Sequence, residues 1–208
     1  MPSRPLHVTF VCSGNICRSP MGHVILDQMI EAAGMADQVI VSSSGTGDWH
    51  VGEQADPRTI EVLAEHGYDG TRHRAREFDP TEFDGLDLVL ASDQGHVRTL
   101  QRLAGSDDNL AKIRLVREFD RDAVVAGTLE TSDPWYGGHE HFARCFEMVE
   151  AACHGILEHL RATARPLPPV DEESSPPGPM GRSSDRSGAG SGRGWGTRST
   201  SEPDVESH

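Results

Sequence analysis

Leu6-His7-Val8-Thr9-Phe10-Val11 and the residues that follow, Cys12-Ser13-Gly14-Asn15-Ile16-Cys17-Arg18-Ser19-Pro20, read as a strand, a turn and the opening of a helix. The first six residues are almost continuously apolar and rich in β-branched and aromatic types, which suits a strand covered on both faces. Beyond the turn, Met21, Val24, Ile25, Gln28 and Met29 recur at helical spacing, and Gly34 offers a stop.

The same alternation continues downstream. Val39–Ser43 reads as a second strand. Asp56-Pro57 has the form of an N-cap followed by proline at the first helical position, opening a helix through Ile60, Leu63 and Ala64 that Gly67 ends. Leu86–Ala91 reads as a third strand, 96–103 as a helix and Ile113–Leu115 as a fourth strand. Phe142, Cys145, Phe146, Val149, Ala152, Cys153, Ile156, Leu157 and Leu160 form one apolar stripe of a long final helix. Strands alternating with helices predict an α/β fold, a doubly wound, four-stranded parallel sheet with helices on both faces, Rossmann-like in type. Such sheets bind ligands beyond the carboxyl ends of their strands, which directs attention to the turn after the first one.

The 208-residue chain is 36% hydrophobic. From Pro166 to the end, Pro, Gly, Ser and charged residues dominate, so 1–165 is expected to form the domain and 166–208 a disordered tail. A net charge of −14 disfavours nucleic acid or an anionic membrane as partner, since both require a basic footprint. Four cysteines do not make a disulfide scaffold, and neither a signal peptide nor a membrane-length apolar run is present, so a cytoplasmic location is expected. The 11 histidines are scattered, His139 and His141 lack the spacing of ligands on one helix face, and no metal or other cofactor is called for.

A Cys and an Arg separated by five residues carry little weight alone. Here the Cys ends a buried strand and the Arg begins a helix, so the amides of the turn can converge with the free donors of the first helical turn. That is a cradle for a tetrahedral dianion. Gly14 and Asn15 are residue types that tolerate the left-handed backbone such a turn needs. Cys12 would sit among the donors as a thiolate, Ser19 could donate to its sulfur, and the planar fork of Arg18 suits two phosphoryl oxygens.

The segment CSGNICRSP resembles the phosphate-binding signature of the low molecular weight protein tyrosine phosphatases and the related arsenate reductases. The similarity continues through SSSGTGDWHVGEQADPRTIEVLAEHGY, HRAR at His73–Arg76, ASD at Ala91–Asp93 and DPWYG at Asp133–Gly137, in order, over residues 6–162. It implies a phosphatase that uses Cys12 as nucleophile, Arg18 as phosphate clamp and Asp133 as general acid and base. It also implies a phosphocysteine intermediate and phosphotyrosine proteins or small aryl phosphates as substrates. An aryl ester needs a proton at its leaving oxygen, and Asp133, stiffened by Pro134 and expected to be dehydrated by flanking aromatics, suits that task.

Trp49, Trp135 and Tyr136 would wall a cleft long enough for a phenyl ring. Ile16 stands where phosphoarginine-selective relatives carry a small hydroxylated residue, which favours phosphotyrosine. In the family, residues matching Ser43 and His73 brace the loop through Asn15, and a cysteine matching Cys17 can bridge to the nucleophile. Arsenate reduction would need a further cysteine pair, and no cysteine stands between Cys17 and Cys145. A binding protein without turnover fits poorly with Cys12, Arg18 and Asp133 all present.

Overall fold

The computed structural model describes residues 4–164. The expected tail at 166–208 lies outside the described residues. Strands β1 (Leu6–Cys12), β2 (Val39–Gly45), β3 (Leu88–Ala91) and β4 (Ile113–Leu115) form one sheet in the order β2-β1-β3-β4, with every pairing parallel. The chain moves outward from β1 to β2 and then crosses back to β3. The carboxyl ends of β1 and β3 therefore flank the point where the connections diverge, the place where such sheets bind ligands.

Alternation along the strands divides the interior in two. Val8 and Phe10 of β1 and Leu88 and Leu90 of β3 face one core, while Val11, Val89, Ala91, Ile113 and Leu115 face the other. Helices α1 (Arg18–Ala32) and α6 (His139–Thr163) cover the first core, with α2 (Pro57–Glu65) packed against α6. The second core is closed by Leu100 of α3 (Gln94–Leu103) and by Phe78 and Phe83, whose rings meet edge to face at 5.0 Å. All nine residues of the predicted α6 stripe are buried, and each of its Phe, Val, Ile and Leu side chains contributes about 1.5–3 kcal/mol of apolar burial. Cys145 and Cys153 belong to that stripe, and burial pushes the Cys145 thiol up to about 12. Among the described residues no helix is long and apolar enough to cross a membrane.

Helix stops behave as read: Gly34 and Gly67 have φ of +67° and +83°. Asp56 caps α2, its carboxylate accepting the Arg58 amide at 2.9 Å. Three details differ. In α1 beyond its first turn the buried residues are Met21, Gly22, Ile25, Leu26 and Ile30, whereas Gln28 is exposed, because the face toward the sheet is rotated from the predicted stripe. β3 starts at Leu88, and Leu86 instead plugs the second core from the end of a 3-10 turn at Pro80–Asp84. Short helices α4 (Asp107–Ala111) and α5 (Arg121–Ala126), capped by Ser106 and Asp120, and a 3-10 turn at Val116–Phe119 carry too little periodicity to be seen in sequence.

Candidate active site

The loop joining β1 to α1 is built from the outside inwards. Its carbonyl oxygens are tethered to the surrounding protein: Cys12 O accepts from Thr46 N at 2.8 Å, Ser13 O from Gly47 N at 3.1 Å and Ile16 O from Asp56 N at 2.8 Å. The Asn15 carbonyl accepts from His73 Nε2 at 2.7 Å. A trans peptide points its N–H opposite its C=O, so the amides of Ser13, Gly14, Ile16 and Cys17 turn to the other side, the interior of the loop. None of those four amides has a protein acceptor among the described residues. Helix α1 also begins without a side-chain cap, which leaves its first-turn donors free at the same place.

Asn15 fixes this shape. It is fully buried with φ of +56°, the one non-glycine residue at positive φ among the described residues. Its Nδ2 donates to Ser19 Oγ at 2.8 Å and to Ser43 Oγ at 3.0 Å, and its Oδ1 accepts the Arg76 amide at 3.0 Å. Ser43 thus meets the Asn15 side chain, and His73 meets the Asn15 carbonyl. Gly14 differs from the expectation. It lacks positive φ, and a Cβ there would lie 2.7 Å from the His50 ring, so a side chain at this position would require that ring to move.

Cys12 Sγ is buried, 3.0 Å from Ser19 Oγ. Arg18, 4% exposed, donates from Nη1 to Asp93 Oδ2 and from Nη2 to Asp133 Oδ2, each at 2.8 Å. Burial opposes its charge, and the neighbouring Cys12, Asp133 and Asp93 outweigh that and raise its pKa. Burial likewise opposes ionisation of Asp93. The His96 imidazole close beside it, the His96 amide that donates to it and the Arg18 guanidinium prevail and hold that carboxyl well below the usual range. Asp93 thereby caps α3 and anchors Arg18 with one side chain. His96 Nδ1 lies 2.9 Å from Asp93 Oδ1 but off the hydrogen-bonding direction, while its Nε2 meets Ser13 Oγ at 3.0 Å.

A cavity of about 250 Å³ opens over the loop. Cys12, Ser13, Gly14, Ile16, Cys17 and Arg18 contribute its floor; Trp49 and His50 come from the segment after β2, and Asp133, Trp135 and Tyr136 from the segment before α6. Tyr136 is 93% and Trp49 69% exposed, so these aromatics stand at the mouth and do not enclose a deep slot. Asp133 is not dehydrated as expected: its side chain is 42% exposed, with Oδ1 accepting the Trp135 amide at 3.1 Å and Oδ2 on Arg18. Cys12 and Cys17 are both free thiols, and burial next to Asp56 and Cys12 pushes the Cys17 thiol upward.

Asp93, His96 and His50 were not singled out from sequence. Asp93 ends the motif Ala-Ser-Asp just after β3, the carboxyl edge where ligands bind, and that position was the signal available. His50 carried none. Among the described residues one His and carboxylate grouping, Glu61, Glu65 and His139, has ligand spacing. It is exposed and outside the cavity lining, and His139 Nε2 is engaged by Glu65 at 3.0 Å.

Residues 7–165 match the family described as low molecular weight phosphotyrosine protein phosphatase. The chain is 52% identical over 154 residues to a low molecular weight protein-tyrosine-phosphatase of Streptomyces coelicolor, covering 74% of this chain and 93% of the relative. It is 45% identical over 155 residues to low molecular weight protein-tyrosine phosphatase A of Mycobacterium tuberculosis, covering 74% and 91%. Among solved structures, the protein tyrosine phosphatase of Entamoeba histolytica superposes with a TM-score of 0.70 at 29% identity, covering 76% of this chain and 98% of that one. The chain therefore belongs to the low molecular weight phosphotyrosine protein phosphatase family, and it is a phosphatase.

Proposed function

We propose that this phosphatase hydrolyses phosphotyrosine monoesters in proteins, and small aryl phosphates, through a phosphocysteine intermediate. The observation that carries this reading is the meeting of Cys12, Arg18 and Asp133, distant in sequence, in one cavity whose floor offers inward-facing amides. A phosphoryl dianion seated on those amides and on Arg18 takes the place that the Asp133 carboxylate holds in the free site. Its phosphorus then faces Cys12 Sγ. The thiolate attacks in line, the P–O bond to the aryl group breaks, and Asp133 as the acid gives its proton to the departing phenol oxygen. Asp133, now a carboxylate, takes a proton from water as that water attacks phosphorus. The S–P bond breaks, leaving inorganic phosphate, the Cys12 thiolate and Asp133 protonated for the next cycle. Arg18, anchored by Asp93, and the loop amides stabilise the equatorial charge in both steps. Ser19, within hydrogen-bond distance of Sγ, stabilises the leaving thiolate in the second.

The aromatics at the mouth and Ile16 on the floor favour a flat aryl group over a short alkyl chain, which would leave the phosphoryl group above Cys12. Hydrolysis of p-nitrophenyl phosphate tests the assignment. Cys12→Ser abolishes turnover and Asp133→Ala slows it by about a hundredfold or more. Strong activity surviving Cys12→Ser overturns it.

A further inference from the structure

We propose that Arg58 is the positioning residue of the acid loop: it carries the tip of the Asp133 segment and ties it to the phosphate loop. The inference rests on Asp133 being the general acid. Residues 131–138 have no regular secondary structure, so their position depends on contacts made from outside. Among the described residues, hydrogen bonds to the tip at 133–137 from beyond the segment come from two arginines. Arg18 binds the Asp133 carboxylate, while Arg58 Nη1 donates to Gly137 O at 2.8 Å and to Trp135 O at 3.3 Å. The first contact cannot survive substrate binding, because the phosphoryl oxygens require the same guanidinium. In the loaded site Arg58 is the remaining tether.

Arg58 is itself aimed. Its Nε donates to Asp56 Oδ1 at 2.9 Å and its Nη2 to Asp56 Oδ2 at 2.8 Å, a two-point contact that fixes the plane of the fork. The guanidinium carbon lies 4.3 Å from the centre of the Phe142 ring at the start of α6 and 5.8 Å from that of Trp135. Asp56, with its side chain 6% exposed, donates its amide to Ile16 O in the phosphate loop. A continuous strap thus runs from Ile16 through Asp56 and Arg58 to Trp135 and Gly137, setting the acid relative to the nucleophile's loop. Lysine has one nitrogen and no plane, so it cannot hold Asp56 at two points and also reach both carbonyls.

The test compares Arg58→Lys and Arg58→Met with wild type on two substrates. Phenyl phosphate has a leaving group that needs a proton; 2,4-dinitrophenyl phosphate has one that departs without it. Misplacing the acid lowers kcat/KM for phenyl phosphate by about tenfold to a hundredfold and leaves the dinitrophenyl ester within about threefold. Adding Arg58→Met to Asp133→Asn then costs little more, since the group it positions has already lost its proton. Inhibition by inorganic phosphate, which reads the phosphate loop without the acid, stays at the wild-type level. An equal loss on both substrates, a fully multiplicative double variant, or weakened phosphate inhibition overturns the proposal. If Asp133→Asn alone shows no dependence on the leaving group, the acid assignment itself fails, and that result is distinct from a failure of the Arg58 variants alone.

Discussion

Replacing Asn15 by Ala removes a side chain that supports the phosphate loop from several directions at once. Nδ2 donates to Ser19 and Ser43, and Oδ1 accepts the Arg76 amide. At about 1 kcal/mol net for each hydrogen bond, losing these three costs about 3 kcal/mol. Asn15 also has φ of +56°, a region in which a residue with a Cβ and no local polar contact is disfavoured. That adds about 1 kcal/mol, for a total of about 4 kcal/mol. For a domain of this size the loss lowers Tm by about 8–16 °C. Asn15→Gly separates the two contributions. It loses the same hydrogen bonds but accepts the backbone, so it should unfold about 1 kcal/mol less readily than the Ala variant. Urea titration of the three proteins reads both differences. A loss below about 1 kcal/mol for Asn15→Ala would mean that the loop is held by other contacts, and the reasoning from buried, satisfied polar groups fails.

The pH dependence of stability follows from His23, whose pKa burial lowers from 6.5 to about 4, with Asp27 opposing and His73 and Arg76 adding to the shift. The unfolded chain then binds the proton more readily than the native one, so this contribution is complete above pH 6.5 and is lost as the pH falls toward 4. His23→Gln, compared with wild type by urea titration at neutral and mildly acidic pH, should remove about 2 kcal/mol of that acid-side loss; an unchanged slope refutes the sign. At Gly45 a Cβ would lie 2.6 Å from Ser13 O and 3.2 Å from Asn15 N, both loop backbone. Gly45→Ala must therefore shift the phosphate loop. It should lower kcat/KM by about tenfold or more and weaken inhibition by inorganic phosphate, whereas wild-type kinetics would show that the loop yields at no cost.

What could be read from sequence divides along physical lines. The strand, turn and helix of 6–32 were legible as elements, although the buried face of α1 was not, and the α6 stripe was legible because one-dimensional periodicity records which face is buried. Asn15 and Arg18 were legible because few residue types serve their tasks. Asp93, His96 and His50 were not, since each acts through contacts far along the chain: Asp93 reaches Arg18 across 75 positions and His96 reaches Ser13 across 83. The arrangement of the three aromatics that line the cavity was hidden for a similar reason. Sequence names Trp49 and Tyr136 but does not tell how far their rings project into solvent. Gly14 shows the limit, because a glycine at positive φ and one beside a neighbouring ring look alike in one dimension.

The sulfur of Cys12 is the claim on which the chemistry turns. Acid quenching during turnover of p-nitrophenyl phosphate by Asp133→Ala, which slows release of the intermediate, followed by mass spectrometry of the peptides, reads it directly. The peptide containing Cys12 is expected to gain the mass of one phosphoryl group in proportion to the phenol released in the first turnover. Phenol released with no such gain, or the phosphoryl group found on another residue, would contradict the assignment.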